Sequence, residues 1–208
     1  MTTLPQIPNS DPDGPTDIVQ AVESVRRLTV AVLRASPESA GRLRSAADQI
    51  RTLADDLESR ASSPRQRATQ MNRPDRVVRY GPVVGTANAI APPLRLREVE
   101  GGLVGTVTFS AAHESRPGIV HDGVAAMILD VALADANISA GVPGLTAQLT
   151  VRFHRPIPVG QVMAVTSRHD RVDGRKAYSS GEILLGDEVC VSADGLFVTA
   201  RREVADAR

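Results

Sequence analysis

Apolar residues recur with two different periods along this chain of 208 residues, and the period changes once. Between residues 16 and 59 they lie three and four positions apart, which is the spacing of amphipathic helices. One helix is predicted over residues 17–35, with Thr16 as its N-cap. A second begins after Ser36 and Pro37, which suit an N-cap and a first helical position. The two helices predict a hairpin over 16–59, whose apolar stripe must pack on the rest of the chain or on a partner.

The segments on either side of this hairpin are rich in polar residues and proline. Residues 1–15 contain Pro, Asp, Asn and Ser and predict a disordered tail. Residues 60–74 contain Arg, Ser, Gln and Pro and predict a linker. The remaining residues, 75–208, are expected to form the main domain.

In the main domain the apolar residues mostly alternate with polar ones, which is typical of half-buried strands. A β-hairpin is predicted around the turn at Gly101–Gly102, and four strand-like segments follow residue 145. Between them, residues 122–140 predict one long helix that is apolar on nearly every side. A single helix among antiparallel strands indicates an α+β fold.

One charged residue, Asp130, interrupts this helix between Val124 and Ala134. An unpaired carboxylate in an apolar setting is costly, so a compensating partner is expected. A second interpretation stays open, because Asn137 falls on nearly the same helical face and that face could be a solvent-exposed stripe.

The start of the same helix carries His121, Asp122 and Gly123, after a predicted turn at Pro117–Gly118. The backbone N–H groups of a first helical turn are free, and the helix dipole makes this end positive. Such an end can polarise a carbonyl oxygen. Alternatively, Asp122 is only an N-cap carboxylate.

His121 and Asp130 are separated by nine residues, which is a rise of about 13 Å and about half a turn of phase along a helix. They cannot touch within one chain. If both serve one site, two chains must build it, and a two-fold dimer makes two such sites.

Two segments at this spacing carry a family resemblance: "PGIVHDGVAAMILD" and "LTAQLTVRFHRPIPVG". They resemble the hotdog-fold acyl-CoA thioesterases of the phenylacetate-pathway (PaaI-like) type over roughly residues 75–200. That family has a P-G-x-x-H-G-G motif, an aspartate nine residues after the histidine, and a following T-x-x-L-x-V-x-[FY]-x-R-P-x-P-x-G strand. The resemblance implies a curved antiparallel sheet wrapped around one long helix, in a dimer or a tetramer made of dimers.

The resemblance also implies roles for five residues. Asp130 matches the catalytic carboxylate, acting as general base or nucleophile, and Thr146 matches a threonine that positions it or the attacking water. His121, Asp122 and Gly123 match the helix start that binds the thioester carbonyl. Asp122 departs from the family pattern, since glycine normally follows the histidine.

Composition narrows the range of functions. The 24 basic and 24 acidic residues cancel, which argues against nucleic acid or an anionic membrane as a partner. The four histidines and the single cysteine, Cys190, have no metal-ligand spacing, so neither a metal nor another cofactor is expected. A lone cysteine, with no signal peptide and no long apolar stretch, favours a cytoplasmic protein.

Three hypotheses remain. The first is hydrolysis of an acyl-CoA thioester by a homodimer or homotetramer. The second is a non-catalytic hotdog protein that binds acyl-CoA or another acyl ligand, with Asp122 as the disabling change. The third is a hotdog hydratase or dehydratase acting on a thioester. The helical hairpin is expected to add oligomer contacts in preference to covering the acyl tunnel.

Overall fold

The structure is a computed structural model that describes residues 17–66 and 81–199. The described chain divides into two compact units, one within Asp11–Ala91 and one that begins at Pro92. The predicted tail at 1–15, the proposed cap Thr16 and most of the predicted linker lie outside the described residues. The domain boundaries therefore stay predictions.

The first unit contains two helices, as the 3.6-residue period predicts. Helix α1 spans Asp17–Leu33 and helix α2 spans Ala40–Ser59, with a 3-10 turn at Pro37–Ser39 between them. Ser36 occupies the cap position of that turn, but its side chain makes no capping hydrogen bond. The chain is redirected there mainly by Pro37, whose fixed φ suits a helical start.

Arg26 of α1 holds the turns that follow the second helix. Its Nη2 donates to the carbonyl oxygens of Gly85, Asn88 and Ala91 at 3.2, 2.9 and 2.9 Å. These carbonyls belong to a segment of turns, in which those of Gly85 and Asn88 also accept a backbone N–H, so one guanidinium ties successive turns together.

The second unit is built on a six-stranded antiparallel sheet. Its strands are β1 (Arg95–Val99), β2 (Gly102–Thr108), β5 (Leu145–Phe153), β6 (Val162–Asp173), β7 (Lys176–Leu185) and β8 (Glu188–Val198). In space the order is β1-β2-β6-β7-β8-β5, which places β5 at one edge. Burial alternates along β2, β7 and β8, as the period of two predicts.

A second, two-stranded sheet lies between β2 and the long helix in the sequence. It consists of β3 (Glu114–Arg116) and β4 (Ile119–Val120), joined by a turn in which Gly118 has a φ of 79°. Strands of two and three residues are too short to show a period, so the sequence pattern predicted only the turn.

Helix α3 (Asp122–Ser139) packs on one face of the six-stranded sheet and contacts five of its strands. Two glycines allow this close approach. A Cβ on Gly181 or Gly195 would lie 2.8 or 2.9 Å from the methyl groups of Leu133 on the helix. The central residues Ile128, Leu129 and Leu133 are fully buried there. The expected α+β hotdog fold, with one long helix against an antiparallel sheet, is confirmed.

Candidate active site

The N-terminus of α3 is capped by His121. Its backbone is extended, with φ −67° and ψ 131°, and its Nδ1 accepts a hydrogen bond from Gly123 N–H at 2.9 Å. His121 is itself fixed from behind, since its N–H donates to the carbonyl of His113 at 2.8 Å. The alternative in which Asp122 is the N-cap is therefore wrong, because Asp122 is already the first residue of the helix.

Glycine at position 123 leaves room for the capping imidazole. A Cβ there would lie 3.1 Å from Nδ1 and 3.2 Å from Cε1 of His121. The preference for glycine at this position is thus explained by the space that the imidazole occupies. It is not one of backbone angle, since every positive φ in the described chain belongs to a glycine other than Gly123.

Asp122 is exposed and lies immediately beside this cap. Neither its N–H nor its carboxylate makes a hydrogen bond with another residue that the structure describes. The N–H of a first helical residue points away from the helix, toward incoming groups. Gly123 N–H is occupied by the cap, which makes the N–H of Asp122 the available donor at this end.

Asp130 and Thr146 come together although sixteen residues separate them. The Thr146 hydroxyl donates to Asp130 Oδ1 at 2.9 Å. Asp130 is half-buried in the middle of α3, and Thr146 is exposed near the start of the edge strand β5. The hydrogen bond occupies one carboxylate oxygen and thereby orients the other.

Asn137 lies two turns beyond Asp130, but it is fully buried. The interpretation of both as one exposed stripe is therefore wrong. Its Oδ1 accepts from His169 Nδ1 at 2.8 Å, and its Nδ2 donates to Ser179 Oγ at 3.3 Å. A helical wheel could not show this, because both partners come from strands that are distant in the sequence.

The two halves of the predicted site do not meet in one chain. No hydrogen bond or ion pair joins His121, Asp122 or Gly123 to Asp130 within the described residues, which agrees with the rise and phase of the helix. Leu145, which precedes Thr146 in the edge strand, is a large apolar side chain that faces solvent, with 78% of it exposed.

Burial raises the pKa of two titratable groups that lie apart from Asp130. Burial raises the pKa of the Asp135 carboxyl, which follows Asp130 on another side of α3. Burial also raises the pKa of the Cys190 thiol, which is 2% exposed. A raised pKa keeps a thiol protonated and unreactive, as expected for a cysteine in the core.

Three features of the described residues bear on other kinds of site. No three His, Cys, Asp or Glu side chains there converge on a position that could hold a metal ion. No helix in that part of the chain is long and apolar enough to cross a membrane. A cavity of about 440 Å³ is lined by sheet residues that include Arg152, Glu182 and Asp194, but by none of the five predicted site residues.

Comparison with known proteins identifies the family. The family model described as "Thioesterase superfamily" matches residues 117–192, which span α3 and the strands from β5 into β8. A crystal structure described as a thioesterase superfamily protein is 39% identical in sequence, with a TM-score of 0.81. That likeness covers 91% of this chain and 93% of the other. The chain belongs to the thioesterase superfamily. The expected membership of a hotdog thioesterase family is thereby confirmed.

Curated relatives of this thioesterase superfamily chain align over a shorter region. The acyl-coenzyme A thioesterase THEM4 of Bos taurus is 34% identical over 84 residues, which is 39% of this chain and 34% of that protein. THEM4 of Mus musculus is 38% identical over 84 residues, or 39% of this chain and 36% of that protein. The chain thus spans about a third of the length of these relatives.

Proposed function

We propose that this chain hydrolyses an acyl-CoA thioester to a free acid and CoA. The observation that carries the proposal is the 2.9 Å hydrogen bond from Thr146 to Asp130, which orients a half-buried carboxylate. Membership of the thioesterase superfamily and the acyl-coenzyme A thioesterase name of two relatives supply the reaction class.

In this mechanism Asp130 acts as the general base. Its second oxygen, Oδ2, accepts a proton from water while the water oxygen attacks the thioester carbonyl carbon. The C=O electron pair moves onto oxygen, and the tetrahedral intermediate collapses with cleavage of the C–S bond. The proton passes to the departing sulfur, so that water and thioester become acid and thiol. Direct attack by the carboxylate, followed by hydrolysis of an anhydride, is the variant of the mechanism that the geometry leaves open.

The helix start of a second subunit completes the site in this proposal. Asp122 N–H donates to the carbonyl oxygen as negative charge develops, helped by the positive end of the helix dipole. His121 holds that end in place through its cap on Gly123. The exposed Leu145 beside Thr146, and the edge of β5 that no described strand pairs with, support a partner chain there, since such surfaces mark interfaces.

A second candidate function is acyl-ligand binding without hydrolysis. The observation that favours it is the Asp122 carboxylate, which is exposed, makes no hydrogen bond within the described residues and adjoins the proposed carbonyl donor. A negative charge at that place opposes a developing oxyanion.

The proposal is tested by replacing Asp130 with asparagine. Asp130→Asn keeps the shape and loses the base, so release of free thiol from a panel of aliphatic and aromatic acyl-CoA esters should fall by about a thousandfold. Asp135→Asn is the matched control, because it makes the same change on the same helix outside the site. Circular dichroism establishes that both variants are folded. An Asp130→Asn variant as active as the Asp135→Asn variant would refute the proposal.

A further inference from the structure

Helix α2 is long and amphipathic, yet none of its residues is buried. Its four large apolar side chains face solvent, with exposed fractions of 37% for Leu43, 42% for Ile50, 58% for Leu53 and 60% for Leu57. Isolated helices are marginal in water, and most gain their stability by packing an apolar face. Within the residues that the structure describes, the apolar face of α2 is therefore left uncovered.

The apolar residues of α2 follow a heptad repeat. Leu43, Ile50 and Leu57 are seven residues apart, and Ala46 and Leu53 fall three residues after the first two. This alternation of three and four is the seam of a coiled coil, in which one helix packs along another helix. The pattern specifies a helical partner rather than a flat surface.

The charges on α2 are distributed unevenly between its two ends. Its first turns contain Arg42 and Arg44, and its last turns contain Asp55, Asp56 and Glu58. This order opposes the helix macrodipole, which favours acidic residues at the start and basic residues at the end. An antiparallel neighbour with the same sequence removes the conflict, because each basic end then lies beside an acidic end.

We propose that the heptad face of α2 docks against α2 of a second copy of this chain, in antiparallel orientation. In heptad register, Leu43 packs with the second copy's Leu53, and Ala46 packs with its Ile50. Along one flank Arg42 then faces Asp56 of the second copy, and Gln49 faces Gln49 across the two-fold axis. Among the described residues the Asp56 carboxylate is bonded to Arg60, through Oδ1 alone, and both side chains are exposed.

Two other arrangements fit the helix less well. In a parallel pair the two basic ends would lie side by side, as would the two acidic ends, and like charges repel. An anionic lipid surface would favour a cationic polar face. The charged residues of α2 are three arginines and four acidic residues, which give the helix a net charge of −1.

The docking is tested on the full-length chain by cross-linking at the centre of the proposed pair. Gln49→Cys, treated with a short bismaleimide, should form a covalent dimer within minutes. Asp48→Cys lies on the side of the helix opposite the apolar face and should form almost none under the same conditions. The native thiol, Cys190, is buried, so the unsubstituted chain serves as the background control. Absence of a dimer with Gln49→Cys, or equal yields at both positions, would overturn the docking.

The antiparallel orientation is tested by charge reversal in the Gln49→Cys background. Arg42→Asp should slow cross-linking about tenfold, since it places like charges together twice per pair. Adding Asp56→Arg should restore the original rate, because the acidic residue at position 42 then faces a basic residue at position 56 of the second copy. Failure of the double reversal to restore cross-linking would overturn the antiparallel arrangement.

Discussion

Asp122 is the residue at which this chain departs from the histidine–glycine–glycine pattern of the thioesterases it resembles. Its backbone needs no glycine, because no residue other than glycine has a positive φ in the described chain. Its carboxylate is not used as a helix cap, since His121 has that role. The Asp122 side chain is therefore not needed for the local fold. Its expected effect is electrostatic, because it places a negative charge beside the proposed carbonyl site.

We expect Asp122→Gly to raise kcat for acyl-CoA hydrolysis by about tenfold, which corresponds to about 1.4 kcal/mol of the activation barrier. The reason is removal of a negative charge next to the developing oxyanion. Steady-state kinetics on the best substrate of the panel measure it. If the natural chain is silent and Asp122→Gly hydrolyses, the chain is a non-catalytic binder that lost its activity at this residue. An unchanged or lower kcat would contradict the argument.

At the scale of elements, α3 is fixed to the sheet by both packing and polar contacts. Leu133 lies against Gly181 and Gly195, while Asn137 binds His169 and Ser179 in the interior. Buried polar groups that are fully paired define one register of helix against sheet. The same register places Asp130 opposite Thr146. The buried contacts of Asn137, two turns further along α3, therefore help to position the Asp130 carboxylate.

Replacement of Asn137 by leucine should therefore destabilise the protein by about 1–3 kcal/mol. The leucine fits the space approximately but leaves His169 Nδ1 and Ser179 Oγ without a buried partner. Urea unfolding followed by circular dichroism measures the change in free energy. An unaltered midpoint and slope would show that the network adds nothing to stability.

The elements themselves were largely predictable from the sequence. The strands follow a period of two residues, α1 and α2 follow a period of 3.6 residues, and Pro37 and Gly101 mark real turns. The burial of Asn137 was not predictable. A helical wheel shows which residues of a helix share a face, but it does not show which polar groups of the sheet pack against that face. The His121 cap was missed because aspartate is the commoner capping residue.

The candidate site was predictable only in part. The rise and phase of a helix were enough to predict that His121 and Asp130 cannot touch within one chain, and the structure agrees with this prediction. The pairing of Asp130 with Thr146 came from the family resemblance, since contacts between a helix and an edge strand leave no periodic signal in one sequence.

For the whole molecule, the proposed mechanism requires that one active site contains residues of two chains. In the proposed mechanism Asp130 and Thr146 come from one subunit, and Asp122 N–H comes from the other. Each subunit therefore contributes half of two sites, and a defect in one half can be complemented by a chain that is defective in the other half.

The most direct test of this central claim is a complementation assay with two inactive variants. Asp130→Asn removes the base, and Asp122→Pro removes the carbonyl donor while keeping a residue that suits a first helical position. The extended backbone of His121 is compatible with a following proline. Each variant alone should be nearly inactive.

When the two variants are co-expressed in equal amounts, half of the dimers are mixed, and each mixed dimer has one intact site. Thiol release should then recover to about a quarter of the natural rate. Mixtures that stay as inactive as the separate variants, although mixed dimers form, would contradict a site shared between two chains.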